Sequence, residues 1–278
     1  MGPATTPPGH RTDSSVVQPG RLGEYPCVRF PGGPRPLVIL PGINDLFQPI
    51  PPGRIAGRIL ADGFLGPYRD EWTPWLVGRP RGFEATTTRE LAAGYADALA
   101  AFGRPVDVVG LSMGGLIATH LAADHDVVDR LVMAVSAARL GPEGRAHCRR
   151  WARFADEGDW RRVRRESIRT VYGVPRRLVY PWLLPALGVT GRPPVVADVT
   201  RSCRACLAHD ARDRLGDVDV PTLVVGGERD PFFPPDRVRE AVAGLPDARG
   251  LVFPGANHGL YEERKARFDG VVRSFLRK

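Results

Sequence analysis

VDVVGLSMGGLIATHLAA, residues 106–123, sets one serine, Ser112, among Gly110, Gly114 and Gly115 where two patterns meet. Upstream, Val106, Val108 and Val109 form a β-branched run of the kind that builds a strand. Downstream, Leu116, Ile117 and Leu121 belong to a helical pattern. A strand that turns sharply at a serine and passes straight into a helix has a chemical use. A hydroxyl is a weak nucleophile unless it is held clear of the backbone, beside a base and near donors for the charge that develops on a substrate. Glycines make room for the turn, since a side chain at 110 or 114 would crowd the serine. The helix N-terminus presents free N–H groups and the positive end of its dipole to an oxyanion. A bare G-x-S-x-G motif is common by chance and would suit an incidental serine in a turn. The strand-to-helix context around this one favours Ser112 as a nucleophile.

Such a nucleophile needs an acid and a histidine from later strands, in the order Ser, Asp or Glu, His. PTLVVGGERDPFFPP, residues 221–235, carries a strand-like run into Asp230, and LVFPGANHGL, residues 251–260, brings His258. Both fall among Gly, Pro and Asn, as loops at the carboxyl edge of a parallel sheet do. Taken singly, Asp230 also reads as a turn or capping aspartate and His258 as a surface-loop histidine. Their joint order after Ser112 is what points to a triad. His10 lies near the N-terminus, His120 and His125 in or just after the helix that follows Ser112, and His147 and His209 in a helical insertion. None of these ends a late strand. Before the insertion the chain reads Val135-Ser136-Ala137-Ala138, without a carboxylate, so Asp230 is the acid expected and Glu228 the fallback.

The flanking sequence has the rhythm of an α/β protein. Apolar runs at 37–40, 72–77, 106–109, 130–135, 222–225 and 250–253 alternate with helical patterns over 87–102, 113–124, 235–243 and 260–276. Several runs are apolar on consecutive residues, as expected of strands covered on both faces. The alternation predicts a mostly parallel sheet with right-handed crossovers. Thr87 followed by Glu90 spells a capping box for the first helix. Residues 1–20, rich in Pro, Gly, Ser and Thr, read as a disordered arm, and 21–138 with 215–278 as the core. Residues 139–214 are too long for a simple connection and need structure of their own. This insertion holds 17 Arg against 8 Asp and Glu, and most of it reads as helix. Within it, RRLVYPWLLPALGV, residues 176–189, reads either as the insertion's own core or as the wall of an acyl pocket.

At 278 residues and 43% hydrophobic, the chain can bury a substantial core as one large domain with an insertion. The formal charge of +8 comes from 39 basic residues, all arginine except Lys265 and Lys278, against 31 acidic ones. Arginines in the insertion could attract an anionic substrate, but a solvated helix face is the simpler reading. No nucleic-acid-binding module accompanies the charge, so no nucleic-acid partner is expected. The chain has no 18-residue apolar run and its first residues lack the pattern of a signal peptide. MGPATT fits the short myristoylation pattern, which recurs by chance. A cytoplasmic protein with no membrane partner is expected, and a homodimer is left open. Four scattered cysteines suit a reducing compartment. Cys203-x-x-Cys206, with Cys148 and His147 or His209, lacks a second CxxC, so neither a metal nor a cofactor is expected.

In combination, Leu40-Pro41-Gly42, GLSMGG at 110–115, GGERD at 226–230 and GANHG at 255–259 resemble the α/β-hydrolase family, in its lid-bearing esterase and lactonase type. The resemblance spans about residues 35–278. It implies an eight-stranded, mostly parallel sheet flanked by helices, with a helical lid between strands six and seven, where the Arg-rich insertion falls. It also implies that the backbone N–H groups of Ile43 and Met113 form an oxyanion hole. Many relatives carry His-Gly after strand three, whereas this chain has Pro41-Gly42 and so lacks that histidine. The activity implied is cleavage of a carboxylic ester, lactone or thioester in a small, partly apolar substrate. Ser112 would attack the carbonyl, His258 would move the proton and Asp230 would orient the imidazole. Acyl transfer to an alcohol or amine by the same groups is the alternative, and a non-catalytic ligand receptor on this fold is a third.

Overall fold

The computed structural model describes residues 17–47, 50, 52–186 and 192–278. Its strands are β1 (Gln18–Leu22), β2 (Tyr25–Arg29), β3 (Arg35–Leu40), β4 (Trp72–Val77), β5 (Val106–Leu111), β6 (Val128–Ala134), β7 (Thr222–Gly227) and β8 (Ala248–Phe253). They form one sheet in the order β1-β2-β4-β3-β5-β6-β7-β8. β2 pairs antiparallel with β1 and β4, and the remaining pairs are parallel. The helices are α1 (Arg54–Ile59), α2 (Thr88–Leu99), α3 (Met113–Asp124), α4 (Pro142–Asp156), α5 (Trp160–Val171), α6 (Val174–Ala186), α7 (Ala197–Ala208), α8 (Pro235–Gly244), α9 (Leu260–Glu263) and α10 (Lys265–Leu276).

Consecutive apolar residues in the central strands follow from helices on both faces. In β3, Val38 and Leu40 enter the core shared with Leu91 of α2 and Leu116 of α3. Leu37 and Ile39 point the other way, into the core shared with Phe268 and Val272 of α10. Five of the six expected strand runs lie inside observed strands. The sixth, 130–135, runs one residue past β6, because Val135 takes a φ of 47° and leaves the extended conformation.

Both antiparallel strands at the sheet's start escape the apolar pattern. β1 and β2 read QPGRL and YPCVR, with Pro19, Gly20 and Pro26 inside them. Their pairing rests on main-chain hydrogen bonds, in register from Gln18↔Arg29 to Leu22↔Tyr25, which need no apolar alternation. The arm expected over 1–20 therefore reaches too far, since Gln18 to Gly20 belong to β1. Residues 1–16 of that arm lie outside the described residues. The capping box is present: the Thr87 side chain accepts from Glu90 N–H, and the Glu90 carboxylate accepts from Thr87 N–H. The helix expected over 260–276 divides at Arg264 into α9 and α10.

Helices α4 to α7 occupy the connection between β6 and β7, and a bridge pairing Arg139 with Asp210 closes its base. Cys148, Trp151, Phe154, Val199, Cys203 and Cys206 are all buried there. Burial pushes the Cys203 thiol up, and that of Cys206 up to about 12, so these sulfurs pack as apolar groups. Many insertion arginines meet carboxylates: Arg150 and Arg162 share Glu166, Arg204 meets Asp156, and Arg214 meets Asp124. No helix among the described residues is long and apolar enough to cross a membrane.

His209, at the end of α7, lies buried with its Nδ1 2.7 Å from Thr88 Oγ1 and its ring centroid 5.1 Å from that of His120. Burial, and secondarily the neighbouring His120, pushes His209 down from 6.5 to about 3. The unfolded chain takes up this proton below about pH 6.5 while the folded chain refuses it, so stability is present above that pH and lost toward pH 3. The expected slope reaches about 1.4 kcal/mol per pH unit for this ring. Urea unfolding between pH 7 and 4 will show a shallower dependence in His209→Gln than in the wild type.

Candidate active site

Ser112 stands between the end of β5 and the start of α3 with φ 53° and ψ −115°, a strained conformation for a residue with a side chain. The surroundings hold it there. A Cβ at Gly110 would lie 2.6 Å from the Gly114 carbonyl oxygen, and one at Gly114 would overlap the carbonyl oxygen of Leu40 at the end of β3. Such close approach lets α3 start directly at the ends of β3 and β5. Ser112 N–H donates to the Ala134 carbonyl at 2.9 Å, which ties the turn to β6 as well.

Asp230 and His258 sit in the loops after β7 and β8, and both are buried. Asp230 Oδ1 accepts from the N–H groups of Phe232 (2.8 Å) and Phe233 (3.1 Å). Its Oδ2 lies 2.7 Å from His258 Nδ1, and His258 Nε2 lies 2.9 Å from Ser112 Oγ. A carboxylate can only accept, so in the neutral ring Nδ1 carries the proton and Nε2 is left to accept from the Ser112 hydroxyl. The rings of Phe232 and Phe233 pack on the imidazole, with centroids 4.7 and 6.0 Å away. Glu228 is exposed and accepts from Gly255 N–H at 2.6 Å, which shapes the loop ahead of His258 without reaching its ring.

Met113 opens α3, and the first N–H groups of a helix have no partner within it. Ile43 opens a 3₁₀ turn, Ile43–Phe47, directly after β3. The preceding residue packs against the serine: a Cβ at Gly42 would lie 3.3 Å from Ser112 Cβ. What supports this loop is Arg79, which sequence reasoning missed. Its guanidinium is fully buried and donates to the carbonyls of Pro41 (3.2 Å) and Gly42 (2.8 Å). Asp45, within the same turn, accepts from Arg79 N–H at 3.1 Å and lies 3.5 Å from its guanidinium. Arg81 adds contacts to the Asp45 carboxylate and carbonyl at 3.3 and 2.7 Å. β4 runs parallel to β3, so a residue just past its end reaches the loop after β3.

Replacing Arg79 with methionine takes the guanidinium from the Pro41 carbonyl, leaves the Gly42 carbonyl with Asp45 N–H, and leaves Arg81 as the cation beside Asp45. Disrupting a buried pair costs about 3–5 kcal/mol, and the retained Arg81 sets the expectation at about 3 kcal/mol. Urea unfolding will show that loss. If the Ile43 N–H serves an oxyanion, as the family resemblance implies, the kcat of the variant will fall about tenfold or more while KM changes less.

A cleft of about 400 Å³ reaches Ser112 and His258 and runs between the sheet and the insertion. Its walls include Ile43, Leu111, Ile168, Val171 and Leu184. The stretch 176–189 contributes one face of α6, where Tyr180, Leu183 and Leu184 line the cleft. No residue of α6 is buried, and Leu178 and Trp182 face solvent, so this helix is cleft wall and not insertion core. Residues 187–189 of that stretch lie outside the described residues.

The segment after His258 is fastened to the insertion. Glu262 accepts from the hydroxyls of Tyr172 (2.6 Å) and Tyr180 (2.7 Å). Glu263 accepts from Gly173 N–H at 2.6 Å, and Gly259 N–H donates to the Val171 carbonyl at 2.8 Å. Burial pushes the Glu262 carboxyl up, opposed by its tyrosine hydrogen bonds.

Sheet order, serine turn and buried His–Asp pair together define an α/β protein that gathers a serine, a histidine and an aspartate where its parallel strands end. Residues 37–271 match the model of the alpha/beta hydrolase family, and the chain belongs to that family. It is 31% identical over 212 residues to the pimeloyl-acyl-carrier-protein methyl ester esterase of Chromobacterium violaceum, covering 72% of this chain and 82% of the relative. The corresponding esterase of Neisseria meningitidis serogroup B is 28% identical over 232 residues, covering 80% and 89%. The enol-lactonase of Burkholderia xenovorans superposes with a TM-score of 0.76 at 20% identity, over 94% of this chain and all of that one, a likeness of fold.

Proposed function

We propose that this protein is a serine hydrolase that cleaves carboxylic esters through an acyl-enzyme on Ser112. One observation carries the reading: an unbroken series of contacts runs from Asp230 Oδ2 through His258 to Ser112 Oγ at a mostly apolar cleft. Kinship with the methyl ester esterases supports the reaction class. In the proposed mechanism, Ser112 Oγ bonds to the ester carbonyl carbon while its proton passes to His258 Nε2. The N–H groups of Ile43 and Met113 receive the oxyanion, and Asp230 stabilises the imidazolium. His258 then protonates the leaving alcohol as the C–O bond breaks. Water attacks the acyl-enzyme, gives its proton to His258, and the proton returns to Ser112 as the acid departs.

In this reading α4 to α7 act as a lid that walls the acyl site, and the substrate is a small, partly apolar ester. The four cysteines, all free and buried, support a reducing, cytoplasmic location. A p-nitrophenyl ester panel of graded acyl length tests the reaction. The expected result is Ser112-dependent turnover with a chain-length optimum set by the cleft, and an acyl adduct on the Ser112 peptide by mass spectrometry. Turnover that persists in Ser112→Ala, or none across the panel, would overturn it.

A further inference from the structure

Helix α5 presents Arg164, Ser167, Ile168 and Val171 to the cleft, the i, i+3, i+4, i+7 stripe of one helix face. Three of these are small or apolar and buried, as a cleft wall requires. The fourth is a guanidinium. The other charged side chains of the cleft are matched within the protein. Asp45 meets Arg79 and Arg81, Glu262 meets two tyrosines and Arg176, Lys265 meets Asp269, and His258 meets Asp230. The Arg164 guanidinium has no hydrogen-bond or ion-pair partner among the described residues. Its neighbours differ: Arg162 reaches Glu166, whereas Arg161 and Arg165 are exposed to water.

A half-buried cation without a counter-ion is held at a cost that an incoming anion removes. Burial alone lowers the pKa of Arg164 from its ordinary value, with no carboxylate nearby to oppose it. Its side chain keeps its charge all the same. One planar guanidinium matches one carboxylate in a two-point contact, and a second cation for a dianion is missing because Lys265 and Arg176 are already engaged.

We propose that Arg164 reads a carboxylate on the substrate, so that the preferred ester carries one free carboxylate beyond the bond that is cleaved, as a half-ester of a dicarboxylic acid does. The assignment rests on the esterase reading and names the substrate class of the same cleft. It places a specificity element on the insertion, opposite the reacting groups on the sheet.

The test compares monomethyl dicarboxylates of four to nine carbons with their primary-amide counterparts, neutral and of nearly equal shape. The wild type is expected to prefer the carboxylate in kcat/KM by about tenfold to a hundredfold at its best chain length, the scale of a hydrogen bond to a charged group. Arg164→Gln brings the ratio close to one, and Arg164→Lys keeps part of it. Because the ratio is taken within each variant, a general loss of activity or fold cancels. A parallel arm measures binding of the same monomethyl esters to Ser112→Ala and to Ser112→Ala with Arg164→Gln by calorimetry. Turnover through Ser112 with the same ratio in wild type and Arg164→Gln overturns the assignment and leaves the esterase reading standing. Arg164-dependent binding without turnover sinks the esterase reading and upholds the carboxylate site. Neither binding nor turnover of any probe overturns both.

Discussion

Ser112→Ala is expected to lower kcat for ester cleavage by roughly 10⁶-fold, the scale at which a serine nucleophile and its histidine act as one unit. The loss is chemical. The hydroxyl's recorded side-chain partner is His258, and the main-chain bond from Ser112 N–H to Ala134 is unchanged by the substitution. Binding of unreacted ester will therefore survive, and thermal unfolding will resemble that of the wild type. A variant that retains more than a hundredth of the wild-type kcat would remove Ser112 from the proposed mechanism.

Asp230→Asn is the second large effect, roughly 10⁴-fold in kcat, and the geometry explains its direction. Phe232 and Phe233 both donate N–H groups to Oδ1, so that position demands an acceptor. An asparagine must put its carbonyl oxygen there and turn its NH₂ toward His258 Nδ1. That nitrogen then accepts, the ring proton moves to Nε2, and the imidazole offers Ser112 a donor where a base is needed. The stabilising charge beside the imidazolium is lost too. Asp230→Glu keeps charge but lengthens the side chain, and will recover less than the native aspartate. Kinetics of all three proteins on one ester, with unfolding curves as control, check both statements.

The sheet's centre was legible because buried parallel strands are written as short apolar runs, and 37–40 and 222–225 are such runs. Ser112, Asp230 and His258 were legible for a different reason: each follows a strand, and turn residues mark each spot. β1 and β2 were hidden because Pro19, Gly20 and Pro26 look like punctuation while main-chain pairing tolerates them. Arg79 was hidden because its value is entirely spatial. Nothing in VGRPRG, residues 77–82, reveals that β4 ends beside β3, which is what carries that guanidinium under Pro41 and Gly42. The stretch 176–189 was ambiguous because apolar composition does not say which side of a helix faces water. The structure splits α6 into a wet side at Trp182 and a cleft side at Leu184.

The acidic pair Glu262 and Glu263 stitches the roof to the chain four and five residues beyond the imidazole. These hydrogen bonds join α6 and the end of α5 to the segment that follows His258. In the proposed mechanism, outward travel of α6 would pull through Tyr180 on the same short segment that holds His258, and so would couple access to the cleft with the aim of the imidazole. On the proposed mechanism, the imidazole is aimed at Ser112 only while α6 keeps its hold on that segment.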